Sequence, residues 1–273
     1  MRDTTGVEYH KLRPRQLVAR RTSCPVAYLP LGILEWHGVH NPLGLDGVKS
    51  HAVLCYLAQR LGGVVMPPLF WGDRRREICE LAFDPEVVTW LPPGTPDHTR
   101  LIVEEMRLPK ESLQAAADRS EKTGGWRLWV ELVIHIFFQI ESLGFKLIVP
   151  YAGHLPQRAP LEEAAEGYIH AGGQTKVFVL SNQVDPKDED HAAHFETSLM
   201  MTLCPEFVEL GELDPYAEFH TGVLGLDPLQ HASVEFGKEI LAGFESVLTE
   251  QVRSLSQTPD NPMQALPNGA PDD

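Results

Sequence analysis

Residues 25–34 (PVAYLPLGIL) form an apolar run without a charge, bounded on its carboxyl side by a segment dense in acid and imidazole. That pattern predicts a buried strand delivering polar residues from its carboxyl end. Apolar residues recur at Val48, Ala52, Leu57 and Leu61, the spacing of a helix over 48–61, with Gly62 placed as its stop. Residues 64–66 predict a second strand, closed by Pro67 and Pro68. Residues 126–143 are apolar nearly all round and end at Gly144, which predicts a buried helix rather than a surface one. A strand over 146–151 runs directly into Gly153 and His154, and a helix over 160–170, a strand over 176–180 and a helix over 193–203 follow. The amphipathic stretch 232–253 predicts a last helix packed on the core. This alternation predicts an α/β fold with helices on both faces of a sheet, in which sites collect beyond the carboxyl ends of the strands. Residues 72–125 keep neither period for long and are expected to form an insertion or lid. No internal repeat is found.

Composition narrows the class. With 273 residues, 43 % hydrophobic and 22 % charged, the chain can bury a large core, and one domain over 1–254 with a tail over 255–273 is expected. The tail is rich in Ser, Pro, Asn and Asp, a composition that does not bury enough surface to order itself. A net charge of −15 repels phosphates and anionic lipid, which argues against nucleic acid and membrane partners. The longest membrane-span candidate, 128–140, is interrupted by Glu131 and His135, so a soluble protein is expected. Cys24, Cys55, Cys79 and Cys204 are widely spaced, without a Cys-x-x-Cys pair or a secretory signal pattern before them. Reduced thiols in a cytoplasmic protein are the simplest expectation.

The chemistry is concentrated in residues 35–46 (EWHGVHNPLGLD), where Glu35, His37, His40 and Asp46 crowd into twelve positions. Carboxylate and imidazole together suit zinc and manganese, and a bound divalent ion can activate water at neutral pH. Glu35 and His37 are two apart and would share a face on a strand, while Pro42 and Gly44 supply a turn that brings Asp46 back. A polar turn with fortuitous histidines is the plainer alternative, and so tight a cluster of acid and imidazole argues against it. His154 by itself would read equally well as a hydrogen-bonded structural residue. Asp188, Glu189, Asp190, His191, His194 and Glu196 form a second acidic and histidine-rich group, whose plainer reading is an acidic helix start. Of the five tryptophans, only Trp36, between two candidate ligands, carries a functional expectation.

These residues resemble the creatininase (creatinine amidohydrolase) family. The specific part is the first segment, LGILEWHGVHNPLGLD, which is similar to that family's Glu-x-His-Gly-x-His-x-Pro-x-x-x-Asp signature. Pro93-Gly94-Thr95, Gly144-Phe145-Lys146, Gly153-His154, residues 191–198 and residues 225–237 are similar to later family blocks in the same order. The resemblance implies a three-layer α/β/α fold with a mostly parallel central sheet. It also implies two divalent ions per subunit (Zn, Mn or Fe), held by Glu35, His37, Asp46 and His154, with Asp46 bridging and Glu196 near the metals. His191 matches a histidine implicated in catalysis and Glu196 is grouped with it, whereas Trp36, His40 and Asp188 take substrate or outer-layer roles. The chain departs from the family at Leu155-Pro156-Gln157: Pro156 stands where creatinine hydrolases carry a glutamate that completes one metal site. A proline is no ligand, so either Glu196 substitutes or that ion is held more loosely, and creatinine itself is not the expected substrate.

The implied reaction is hydrolysis of a non-peptide C–N bond in a small, cyclic amide by metal-activated hydroxide, with His191 shuttling a proton to the departing nitrogen. A homo-oligomer, a hexamer by resemblance, is expected. The alternatives are a deformylase or precursor-peptide hydrolase of the same family, and a non-catalytic binding or scaffold protein with a degraded metal site.

Overall fold

The computed structural model describes residues 6–72, 98–181 and 190–255, so the proposed tail from 256 onward and residues 73–97 of the proposed lid lie outside the described residues. Helix α1 (Pro14–Ser23), strand β1 (Val26–Leu31), helix α2 (Leu45–Leu61) and strand β2 (Val64–Val65) open the chain. Helices α3 (His98–Glu105), α4 (Lys110–Thr123) and α5 (Trp126–Ser142) lead to strand β3 (Leu147–Ala152), helix α6 (Arg158–His170) and strand β4 (Lys176–Val177). Helices α7 (His194–Leu203), α8 (Pro228–His231) and α9 (Val234–Leu255) complete the order.

The four strands lie in the order β2-β1-β3-β4, and every pairing among them is parallel. Side chains alternate along the central strands. Val26 and Tyr28 of β1, with Leu147 and Val149 of β3, pack against Val53, Leu57, Phe195, Leu199 and Phe244 from α2, α7 and α9. Ala27, Leu29 and Ile148 face the other way, onto Trp129, Val133 and Phe137 of α5 and Leu161 and Tyr168 of α6. A sheet with both faces covered accounts for strands that read as continuous apolar runs. The three-layer α/β/α expectation is met, and the sheet is parallel throughout the described strands. Phe137 is fully buried and meets Tyr168 edge-on with ring centroids 5.7 Å apart. Phe137→Ala should therefore cost about 3–5 kcal/mol, read as a lowered midpoint in denaturant unfolding.

Three expectations need correction. First, β1 ends at Leu31, so Glu35 and His37 do not share a strand face but lie in the irregular segment beyond it. Second, α2 begins at Leu45, three residues before the apolar spacing starts, and Asp46 belongs to its first turn rather than to a returning loop. The apolar period misses this turn because Asp46 faces the site and Gly47 has no side chain, although Leu45 packs with Met200 and Cys204. Third, α5 is buried on one face only: Trp129, Val130, Val133, Phe137 and Ile140 are covered, whereas Leu128 and Leu132 are 56 % and 42 % exposed. Within the expected insertion, residues 98–105 and 110–123 are helical, and Ile102 of α3 packs on Trp36 with Met106 and Leu108. Among the described residues no helix is long and apolar enough to cross a membrane.

Candidate metal centre

The chain leaves β1 through α2 to β2 on one side, while β3 pairs with β1 on the other. The crevice at the carboxyl ends of β1 and β3 is therefore a topological switch point, where parallel α/β sheets place their sites. The first turn of α2 is wedged into that crevice. A Cβ on Gly32, just past β1, would lie 2.3 Å from the Gly47 nitrogen, and one on Gly153, just past β3, would lie 2.0 Å from the Asp46 carbonyl oxygen. Only glycine permits both backbones to approach so closely. Asp46 is thereby fixed between the segments that carry Glu35 and His37 and the one that carries His154. The segment after β1 is itself closed by the Glu35 N–H, which donates to the Leu43 carbonyl at 2.9 Å.

Glu35, His37, Asp46 and His154 are buried to 3 % exposure or less. His154 Nδ1 lies 3.1 Å from Glu35 Oε2 and 3.4 Å from Asp46 Oδ2. His37 Nε2 lies 3.3 Å from Asp46 Oδ1, and 3.9 Å from both Glu35 Oε2 and Glu196 Oε2. Ligand atoms of Glu35, Asp46 and His154, and separately of His37, Asp46 and Glu196, fall within 4.8 Å of one another, with Asp46 common to both groups.

The donor chemistry fits a divalent cation. His37 Nδ1 sits 3.1 Å from the Glu35 carbonyl, which can only accept, so Nδ1 carries the proton and Nε2 turns its lone pair toward carboxylate oxygens. Lone pair against carboxylate is repulsive unless a proton or cation lies between them. Burial works to lower the His37 pKa, yet the Asp46 and Glu196 carboxylates outweigh it and hold the ring above its ordinary value. For Asp46 burial acts to raise the pKa, and His37 and His154 outweigh it, holding the carboxyl well below the usual range. Such pairing is what neighbouring anions impose when no metal neutralises them.

Glu196 reaches the group from the first turn of α7, one of whose amides it does not need. Asp190 accepts from the Phe195 and Glu196 N–H groups at 2.7 and 3.2 Å and pairs with His194 Nδ1 at 3.0 Å, so this acid caps the helix. Glu196 Oε2 accepts the Ala192 N–H at 2.7 Å, a geometry made possible by the left-handed backbone of Ala192 (φ 56°). His191 is held by two backbone hydrogen bonds with Leu224, and its ring lies 4.6 Å from that of His37. Its Nε2 donates to the Trp36 carbonyl at 2.9 Å, leaving Nδ1 unprotonated in the neutral ring. Burial, followed by the neighbouring His37, pushes the His191 pKa down to about 4.

His40 belongs to no candidate ligand group. Its Nε2 is engaged by Asn41 Nδ2 at 3.0 Å and Thr197 Oγ1 at 3.1 Å, which ties the segment after β1 to α7. Trp36 donates its indole N–H to the Thr221 carbonyl at 2.8 Å and packs under α3, so the group it offers to the site is its main-chain carbonyl. Asp188 lies outside the described residues. Lys49 escaped the sequence reading. It stands three residues after Asp46, on the same face of α2, and is 3 % exposed. Its ammonium pairs with Glu196 Oε1 and donates to the Gly153 carbonyl at 2.7 Å. Burial acts to lower the lysine pKa, and Glu196 outweighs it, holding Lys49 charged. The i, i+3 spacing from Asp46 was the available signal. A further carboxylate–imidazole–thiol group joins Glu8, from the segment before α1, to His51 and Cys55 of α2, and there Lys11 already engages Glu8 at 2.7 Å.

A three-layer α/β protein with a buried carboxylate–imidazole group at the switch point of a parallel sheet is the class these features define. Residues 10–84 match the family model for creatininase, creatinine amidohydrolase. Among solved structures, a creatinine amidohydrolase (creatininase) is similar at 21 % identity with a TM-score of 0.60, over 93 % of this chain and 100 % of that one. A structure described as "Creatininase Mn" is similar at 22 % identity and TM-score 0.60, with the same coverage. A mutant creatininase of Zn-Zn type is similar at 23 % identity and TM-score 0.58, again over 93 % and 100 %. No curated protein sequence matches the chain. Glu35, His37 and Asp46 thus lie within the segment that matches this family model, and the chain has the fold of these creatininase structures.

Proposed function

We propose that the protein is a metal-dependent amidohydrolase that cleaves a non-peptide C–N bond in a small, cyclic amide. The observation that carries this reading is the mutual approach of Glu35, Asp46 and His154 at the β1–β3 crevice, buried and fit for a divalent cation. The creatininase relatives named above, in manganese and zinc forms, support the same class. Zinc, manganese and iron all suit these donors. When bound, such an ion polarises a substrate carbonyl and lowers the pKa of water.

The chain's own groups divide the remaining work. Glu35, Asp46 and His154 hold the cation, and the glycines at 32 and 153 hold Asp46. His191 is neutral, with Nε2–H anchored on the Trp36 carbonyl and Nδ1 open to a proton. As water adds to the carbonyl carbon, one of its protons passes to Nδ1, and the same proton is returned to the nitrogen when the C–N bond breaks. Amide and water thus give carboxylic acid and amine, which at neutral pH exchange a proton to become carboxylate and ammonium, without a further reactant. Burial beside the apolar cluster of Trp36 and Ile102 limits water at this end of the sheet.

The test is a screen of cyclic amides, lactams and formamides on protein of measured metal content. Ring opening of a cyclic amide that is abolished by chelation and restored by metal is the expected result. Formate release alone would replace this reading by deformylation, and no turnover with a full metal complement would favour a binding protein. His191→Ala should retain its metal and lose about 10²–10⁴-fold in kcat. Metal loss or undiminished turnover in that variant would remove His191 from the proton path.

A further inference from the structure

The cation expected at His37, Asp46 and Glu196 has a competitor within the chain. Lys49 Nζ pairs with Glu196 Oε1, lies 3.9 Å from Asp46 Oδ1 and donates to the Gly153 carbonyl at 2.7 Å. It therefore already engages both carboxylates of the His37, Asp46 and Glu196 group. The other Glu196 oxygen accepts the Ala192 N–H at 2.7 Å. Pro156, two residues after His154, has no ligand atom on its side chain, and Asp190 is committed to the amides of α7 and to His194.

Charge leads to the same result. Glu35, Asp46 and Glu196 bring three buried negative charges, Lys49 returns one positive charge, and a single divalent ion balances the rest. A second divalent ion at His37, Asp46 and Glu196 would sit against the ammonium with no further buried carboxylate in that group to offset it.

We propose that the Lys49 ammonium takes the place of the second cation, so that the chain holds one divalent ion, at Glu35, Asp46 and His154. This rests on the metal-dependent reading above and replaces the pair of ions that the resemblance implied. The role is electrostatic: the lysine neutralises Glu196, bridges α2 to α7, and leaves the single ion open to substrate on the side of His37 and His191.

The test is metal content by mass spectrometry together with Mn²⁺ electron paramagnetic resonance, on full-length protein stripped by chelator and reloaded with Mn²⁺. Wild type should hold about one Mn²⁺ per chain with the signal of an isolated ion. Lys49→Gln should gain a second ion, approaching about two per chain with a spin-coupled signal, and Lys49→Arg should stay at about one. Two coupled ions in the wild type would overturn this inference while leaving the metal-dependent reading intact. No ion in the wild type would overturn both. A folded Lys49→Gln protein that still holds one ion would also overturn it. Should that variant not fold, the wild-type stoichiometry and signal decide the matter.

Discussion

Asp46→Ala is expected to empty the centre: bound metal falls to near zero, turnover falls by about 10³-fold or more, and the thermal midpoint no longer responds to added Mn²⁺ or to chelator. The size of the effect follows from position. Asp46 belongs to two of the three candidate ligand groups at this site, the third being Glu35, His37 and His191, and its Oδ1 lies 3.3 Å from His37 Nε2 and its Oδ2 3.4 Å from His154 Nδ1. Removing an outer partner of a metal ligand typically costs 10–100-fold in affinity, and a direct ligand costs more. His154 and Glu35, 3.1 Å apart, would then lack the carboxylate that links them to His37. Elemental analysis and a melting curve with and without metal provide the measurement. Wild-type metal content in Asp46→Ala would move the centre elsewhere in the chain.

Gly153→Ala should nearly match it, by mechanics rather than by ligand loss. The added Cβ would stand 2.0 Å from the Asp46 carbonyl oxygen and 2.7 Å from its carbonyl carbon, and backbone atoms inside a helix turn do not yield as a flexible side chain would. Either the start of α2 moves out of the crevice or the end of β3 bends away. Overpacking of this kind costs about 1–3 kcal/mol, and a contact with backbone belongs at the upper end. Asp46 then shifts relative to His154, and Lys49 loses its bond to the Gly153 carbonyl. The expected outcome is about 3 kcal/mol less stability in denaturant unfolding and at least about tenfold weaker metal binding. Gly6→Ala, where nothing lies within 4 Å, serves as the control and should be neutral on both counts. Unchanged metal affinity in Gly153→Ala would show that the α2 turn is not locked against β3.

Much of the layering is legible in the chain. The uncharged run before Leu34, the apolar stretch closed by Gly144 and the short apolar segments at 64–66 and 146–151 each found their element within a few residues. Continuous apolar strands require cover on both faces, and a parallel sheet between helices is the fold that provides it. Helix α1 was not legible, because its sequence PRQLVARRTS carries little apolar period and none of its residues is buried. Helices α3 and α4 were hidden for a related reason, as they lie in a region of mixed charge, proline and glycine.

The candidate centre divides along the same line. Residue type and close spacing were enough to single out Glu35, His37, His40 and Asp46 as candidates, because ligand chemistry is a local property of side chains. The family resemblance set His40 apart from the ligands and gave expected roles to His154, His191 and Glu196, which residue type alone had only flagged. Three matters rested on the folded chain alone. Glu35 and His37 lie in an irregular segment and Asp46 at a helix start, since two glycines allow α2 to press between β1 and β3. His40 turns to Asn41 and Thr197 rather than to the ligand group, since α7 packs across the segment that holds it. Lys49, ordinary in sequence, becomes a buried cation between Asp46 and Glu196, since strand order brings α2 and α7 together over the same crevice. Spacing along the chain determines which groups are present, whereas their charge balance depends on distances between segments far apart in sequence, and these exist only once the sheet is assembled.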